Sequence, residues 1–216
     1  MSLTLHMHPL SSYCWKALIA LYENATPFQP RIVNLGDPTE AAALRKIWPI
    51  GKFPVLVDDA RGVTVPESSI IIDYLAQHYP GVVALVPSDR DEARRVRLAD
   101  RFYDLHVHAH MQKIVAERLR PKDAKDPASA QQARAALELA YGMIEQDMVA
   151  KPWAAGEAFT MADCAAAPAL FYANKVAPFG AGHANVKAYL ARLGARPSFQ
   201  RVVEEAGPYF KYFPQE

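Results

Sequence analysis

Leu3-Thr4-Leu5-His6-Met7-His8-Pro9-Leu10-Ser11-Ser12-Tyr13-Cys14-Trp15-Lys16 runs directly into Ala17-Leu18-Ile19-Ala20-Leu21. Residues 3–8 alternate in the manner of a strand. Pro9-Leu10 turns the chain, and residues 15–22 are apolar with good helix formers. Strand, turn and helix in that order put Ser11 or Ser12 at a helix N-terminus. Free backbone N–H groups and the positive end of the helix dipole gather there, and both favour an anion such as a thiolate. A serine hydroxyl beside that end can donate a hydrogen bond to sulfur. The same two serines also suit a plain helix cap, so the rest of the chain has to decide between the two readings.

Working outward, residues 27–35 form a second extended run whose prolines mark it as an edge strand. Asp37-Pro38-Thr39-Glu40 opens a helix over residues 41–48. Residues 54–59 read as a short buried strand, and Val63-Thr64-Val65 returns after the Arg61-Gly62 turn as its hairpin partner. Glu67-Ser68-Ser69 then starts a helix that Tyr79-Pro80-Gly81 ends. The order β-α-β-α-β-β-α describes a small α/β sheet domain over residues 1–80. Residues 81–88 read as a linker. From 89 to 216 only helices are expected: 89–119, 128–149, a wholly apolar one over 164–172 behind the capping-box pattern Thr160-Met161-Ala162-Asp163, then 186–193 and 198–206. The aromatic tail, residues 209–214, is expected to pack back on the body.

The chain of 216 residues is 51% hydrophobic and 22% charged, as in a globular protein with a sizeable core. A net charge of +1 gives no global attraction to nucleic acid or to an anionic membrane. Two distant cysteines, Cys14 and Cys164, form neither a metal spacing nor a disulfide framework and suit a reducing compartment. No secretory signal and no apolar run of membrane-spanning length is visible. A cytoplasmic protein is expected, with no nucleic-acid or membrane partner.

Three pieces of the first domain describe one ligand. The Ser11–Cys14 turn suits a thiol. Lys52-Phe53-Pro54 places a proline, potentially cis, directly before a strand, leaving a backbone edge for an extended peptide. Glu67-Ser68, at another helix start, suits a carboxylate. Together they fit a small thiol peptide.

These stretches, with Gly51-Lys52-Phe53-Pro54-Val55-Leu56, Glu67-Ser68-Ser69-Ile70 and Thr160-Met161-Ala162-Asp163, resemble the cytosolic glutathione transferases over nearly the whole length. The resemblance implies a thioredoxin-like N-terminal domain followed by an all-helical domain, glutathione as co-substrate, no permanently bound cofactor and a homodimer. It further implies that Ser11 bonds the glutathione sulfur and that the Phe53 backbone, before a cis-Pro54, pairs with the cysteinyl unit. Glu67 and Ser68 would hold the γ-glutamyl end, Lys52 a carboxylate, and Asp100 of a partner subunit the γ-glutamyl amine. The electrophile would be small and hydrophobic. Tyr13, Tyr103, His106 and His110 would line its pocket, with positions 106 and 110, but not 108, on one helix face.

Ser11-Ser12-Tyr13-Cys14 also stands where related thiol oxidoreductases carry a Cys-Pro-Tyr-Cys motif. With Ser in the nucleophilic place, glutathione itself should be the nucleophile. Cys14 is either a small buried residue or a second catalytic group supporting redox or lyase chemistry. The family's serine-type isomerases share the Ser-Ser-x-x-Trp-basic stretch, but their cysteine and arginines are replaced here by Tyr13 and Ala17-Leu18. A non-catalytic interaction protein on the same fold is the remaining alternative. No metal site is expected, and the basic run Arg94-Arg95-Val96-Arg97, flanked by acids, reads as a solvated helix face.

Overall fold

The computed structural model describes residues 2–214. The N-terminal region follows the order expected from sequence: β1 (Leu3–Met7), α1 (Ser12–Glu23), β2 (Gln29–Ile32), α2 (Pro38–Ile47), β3 (Val55–Asp58), β4 (Val63–Pro66) and α3 (Ser68–His78). The four strands form one mixed sheet in the order β2-β1-β3-β4. β1 runs parallel to β2 and antiparallel to β3, and β3 pairs antiparallel with β4. β2, with Pro30 in it, is the exposed edge strand, where a missing N–H costs no ladder bond.

The rest is helical: α4 (Arg90–Phe102), α5 (Ala109–Leu119), α6 (Pro127–Ala150), α7 (Met161–Val176), α8 (Ala184–Gly194) and α9 (Pro197–Ala206). The capping box at Thr160 forms with both reciprocal bonds, and Asp163 also accepts from the Ala154 N–H at 2.8 Å and the Tyr189 hydroxyl at 2.6 Å. Of the aromatic tail, Phe213 stacks on Tyr172 and Phe210 packs edge-on to Trp15. Tyr212 stays exposed.

Two findings decide what the site becomes. First, α1 is apolar nearly all round and packs between α3 and the helices α7 and α9, the expected fate of a helix without a polar face. Its one charged central residue, Lys16, is only 1% exposed. Lys16 Nζ is 2.6 Å from Asp100 Oδ1, 2.9 Å from Asp104 Oδ2 and 2.7 Å from Ser69 Oγ. Second, the single helix expected over residues 89–119 is interrupted by a π-helical segment, Tyr103–His108, between α4 and α5. The Ala109 N–H bonds the Asp104 carbonyl five residues back. The wider turn buries 103, 104, 107 and 108 and turns 105 and 106 outward. Such bulges concentrate at functional sites.

Candidate functional site

The helix start at α1 is capped by Ser11, whose Oγ accepts from the Cys14 N–H at 3.3 Å. That acceptor bond fixes the Ser11 oxygen beside the helix start. Ser12 has another partner: it is buried, and its Oγ lies 2.6 Å from His108 Nε2. Cys14 is fully buried, its sulfur accepting from the His8 N–H at 3.5 Å. Burial pushes its thiol up to about 12, only partly offset by hydrogen bonds from Ser11 and His8. Redox or lyase chemistry through Cys14 is therefore corrected: a sealed, protonated thiol is not a nucleophile.

A cleft of about 490 Å³ opens between the sheet region and the π segment. One wall holds Lys52, Phe53 and Pro54, with the Phe53–Pro54 peptide cis. Phe53 lies just outside the ladder, whose register begins at Val55. Glu67 and Ser68 continue that wall. Glu67 caps α3 at φ +70°, a conformation that costs a non-glycine residue about 1–3 kcal/mol and clusters at ligand sites. With Glu67 in that turn, Ser68 becomes the first residue of α3, whose free N–H groups suit a carboxylate. The opposite wall is Tyr13 from α1 with Arg101, Asp104, Leu105 and Ala109, and Trp48 also contributes. Ser11, two residues before Tyr13, is half-buried and is not itself a lining residue. The cleft thus gathers Tyr13, Lys52, Phe53, Pro54, Glu67 and Ser68 from the sequence-derived set.

Three other expectations are overturned. Asp100 is 1% exposed and engaged with Lys16 and, at 2.7 Å, with the Ser69 hydroxyl. Burial pushes its carboxyl up against the pull of Lys16. Its carboxylate is engaged inside the protomer rather than presented at the surface. His106 and His110 line a separate hollow with Phe102, Leu139 and Met143 on the α6 side, away from Tyr13. Tyr103 is buried and borders a second groove between α4 and α6. The cause is the π segment, because faces assigned at 3.6 residues per turn no longer apply beyond residue 103.

The histidine that does reach the cleft's foundation is His108, which the sequence reading set aside. Its ring lies against Tyr13 with centroids 3.8 Å apart and planes 14° from parallel. Burial, with a smaller contribution from Lys16, pushes its pKa down to about 3, so it is neutral. Asp104, Arg101 and Trp48 were also not anticipated. The three charges at Asp91, Glu92 and Asp73 pair with Arg94, Arg95 and Arg97, an exposed face as expected. Among the described residues no cluster of His, Cys, Asp or Glu is placed to hold a metal ion. No described helix is long and apolar enough to cross a membrane.

A four-stranded sheet with its helices, a cis proline entering the third strand and an appended helical domain define the class: a thioredoxin-like fold carrying an all-α extension. The family profile for the glutathione S-transferase N-terminal domain matches residues 5–82, and that for the C-terminal domain residues 106–197. The chain is 28% identical to a glutathione S-transferase of Pseudomonas putida, covering 94% of this chain and 92% of the relative. It is 29% identical to FtsZ-localized protein A of Caulobacter vibrioides, over 95% and 92%. A glutathione S-transferase of Methylobacillus flagellatus, solved with GSH bound, superposes with a TM-score of 0.83 at 26% identity, covering 93% of this chain and 98% of that one. The chain belongs to the glutathione S-transferase family.

Proposed function

We propose that the protein is a glutathione transferase that binds glutathione as its thiolate and joins it to small hydrophobic electrophiles. The observation that carries this reading is the cleft itself, where Lys52, Phe53 at the entry to β3, the left-handed Glu67 and the α3 start at Ser68 line one wall beside the capped α1 terminus. The γ-glutamyl carboxylate goes to the α3 N–H groups, the cysteinyl backbone to Phe53, and Lys52 takes the far carboxylate. Ser11 donates its hydroxyl proton to the sulfur.

The magnitudes suffice. Lowering a thiol pKa by about two units needs roughly 2.7 kcal/mol. A charge-assisted hydrogen bond gives about 1.5–3 kcal/mol, and the α1 terminus adds up to about 1 kcal/mol. Holding both reactants in one cleft supplies the remaining acceleration. Residues 1–80 form the glutathione-binding domain, 81–88 the linker, and 89–216 the all-helical domain that supplies the electrophile pocket. No metal or resident cofactor is required, and the cytoplasm is the compartment in which glutathione and two reduced cysteines fit together.

The same reading includes a homodimer. Leu98, Leu105, Leu139 and Met143 are 70%, 48%, 70% and 52% exposed. Leu98, Leu105 and Met143 border the roughly 680 Å³ groove between α4 and α6, and Leu139 lies in the adjoining hollow. Apolar exposure of this kind marks an interaction face, and sedimentation that returns a monomer at micromolar concentration would exclude it.

A second reading, a non-catalytic interaction protein, is favoured by the similarity to FtsZ-localized protein A. Ultraviolet titration of the thiolate in the glutathione complex separates the two. In wild type the bound thiol should ionise below its free value, and Ser11→Ala should raise that pKa with little change in affinity. A pKa that does not move removes Ser11 from the mechanism. No measurable glutathione binding leaves the interaction protein.

A further inference from the structure

His8 follows the last residue of β1 and stands three residues before Ser11. Three of its polar atoms are bonded within the Ser11 turn. Its backbone N–H donates to the Cys14 sulfur at 3.5 Å, and its carbonyl accepts from the Ser11 N–H at 2.9 Å. Its ring Nδ1 accepts from the Leu10 N–H at 3.2 Å. That last bond joins a side chain to the backbone two residues on, the pattern by which Asn and Asp make turns. Burial lowers the pKa of the half-buried ring, which favours the neutral form that can accept. The face of the ring is used as well. It lies against Phe53, with centroids 6.0 Å apart and planes 17° from parallel, and packs at 75° to Tyr209 of the C-terminal tail, 5.7 Å away. Phe53 stands outside the ladder, so side-chain packing is what holds its backbone.

We infer that His8 is a positioning residue that sets the separation between the two groups assigned to the central residue of glutathione. Its Nδ1 fixes the turn that carries Ser11, and its ring fixes Phe53. The inference rests on the glutathione site proposed above and adds a residue to it. The sulfur and the cysteinyl backbone belong to one residue of the ligand, so the groups that receive them must keep one spacing. His8 is bonded on the Ser11 side and stacked on the Phe53 side, and it acts on the ligand through both.

Two substitutions take the two roles apart. His8→Asn keeps an oxygen that accepts from the Leu10 N–H and removes the ring. His8→Phe keeps a ring and removes the acceptor. Both are compared with wild type as full-length protein. The pKa of bound glutathione is read by ultraviolet titration, and affinity is read by calorimetry with S-methylglutathione, which has no thiol to ionise. His8→Asn should weaken S-methylglutathione binding roughly two- to twelve-fold and leave the thiol pKa at its wild-type value. His8→Phe should raise the thiol pKa by up to about one unit with affinity little changed. His8→Ser and His8→Tyr carry the same comparison if either variant does not fold. A merely structural histidine moves both readouts together or neither, and either result overturns the inference, as does the reverse assignment. If wild type binds neither compound, the glutathione site fails and this inference falls with it. If wild type binds both and the variants do not separate the readouts, only the inference falls.

Discussion

The first turn of α1 and the π segment face each other across the cleft, yet they were specified in different ways. The α1 turn is local: Pro9, a capping Ser11 and an apolar run determine it within ten residues. The π segment is tertiary. Its outward and inward faces follow from what α1 presents to it, namely Lys16 to Asp100 and Asp104, Ser12 to His108, and Tyr13 to the His108 ring. One side of the site is written in its own neighbourhood, and the other is an answer to it.

The sharpest way to break that correspondence is Lys16→Met. It leaves two buried carboxylates with only the half-exposed Arg101, 3.2 Å from Asp104, for compensation. Removing one partner of a buried ionic cluster costs about 3–5 kcal/mol, readable as a fall in the urea unfolding midpoint. Adding Asp100→Asn should recover part of the loss. If Lys16→Met unfolds at the wild-type midpoint, the two sides are not coupled through this charge.

A smaller effect comes from His108. Its folded pKa, about 3, lies below the unfolded value of 6.5. A group held neutral in the fold in this way contributes stability that is fully present above pH 6.5. The contribution is lost as pH falls from 6.5 toward 3, because the unfolded chain then binds the extra proton. Between pH 6.5 and 4.5 the loss should be about 2 kcal/mol. His108→Gln should flatten that slope, while His6, His8 and His110, also lowered by burial, contribute equally to both proteins. Equal slopes in the two proteins would remove His108 from the acid response.

The smallest effect calibrates the others. Arg97 sits 2.6 Å from Asp73, but both side chains are over two-fifths exposed. Arg97→Ala should cost no more than about 1 kcal/mol in the same urea assay. A loss approaching that of Lys16→Met would mean that burial is not what distinguishes the two ion pairs.

What could be read in advance follows the same division. The capping Ser11, the Phe53–Pro54 entry to β3, the Glu67-Ser68 helix start and the Thr160–Asp163 box are all short-range patterns. Each works by satisfying backbone groups within a few residues. The rank of β2 as an edge strand was legible from the prolines of residues 27–35. Lys16 was not, because a lysine inside an apolar helix carries no mark of a carboxylate 84 residues away. His108 was assigned to the wrong face because a regular helical repeat was assumed where the turn widens. Asp100 and Asp104 could have been suspected only by asking what would neutralise Lys16 once α1 proved apolar on every side.

Cys14 and Cys164 are both wholly enclosed, and burial raises both thiols. The thiol ligand proposed above also exists in an oxidised, disulfide form. With its own sulfurs out of reach, the folded chain offers no handle for exchange and is not consumed by its guest.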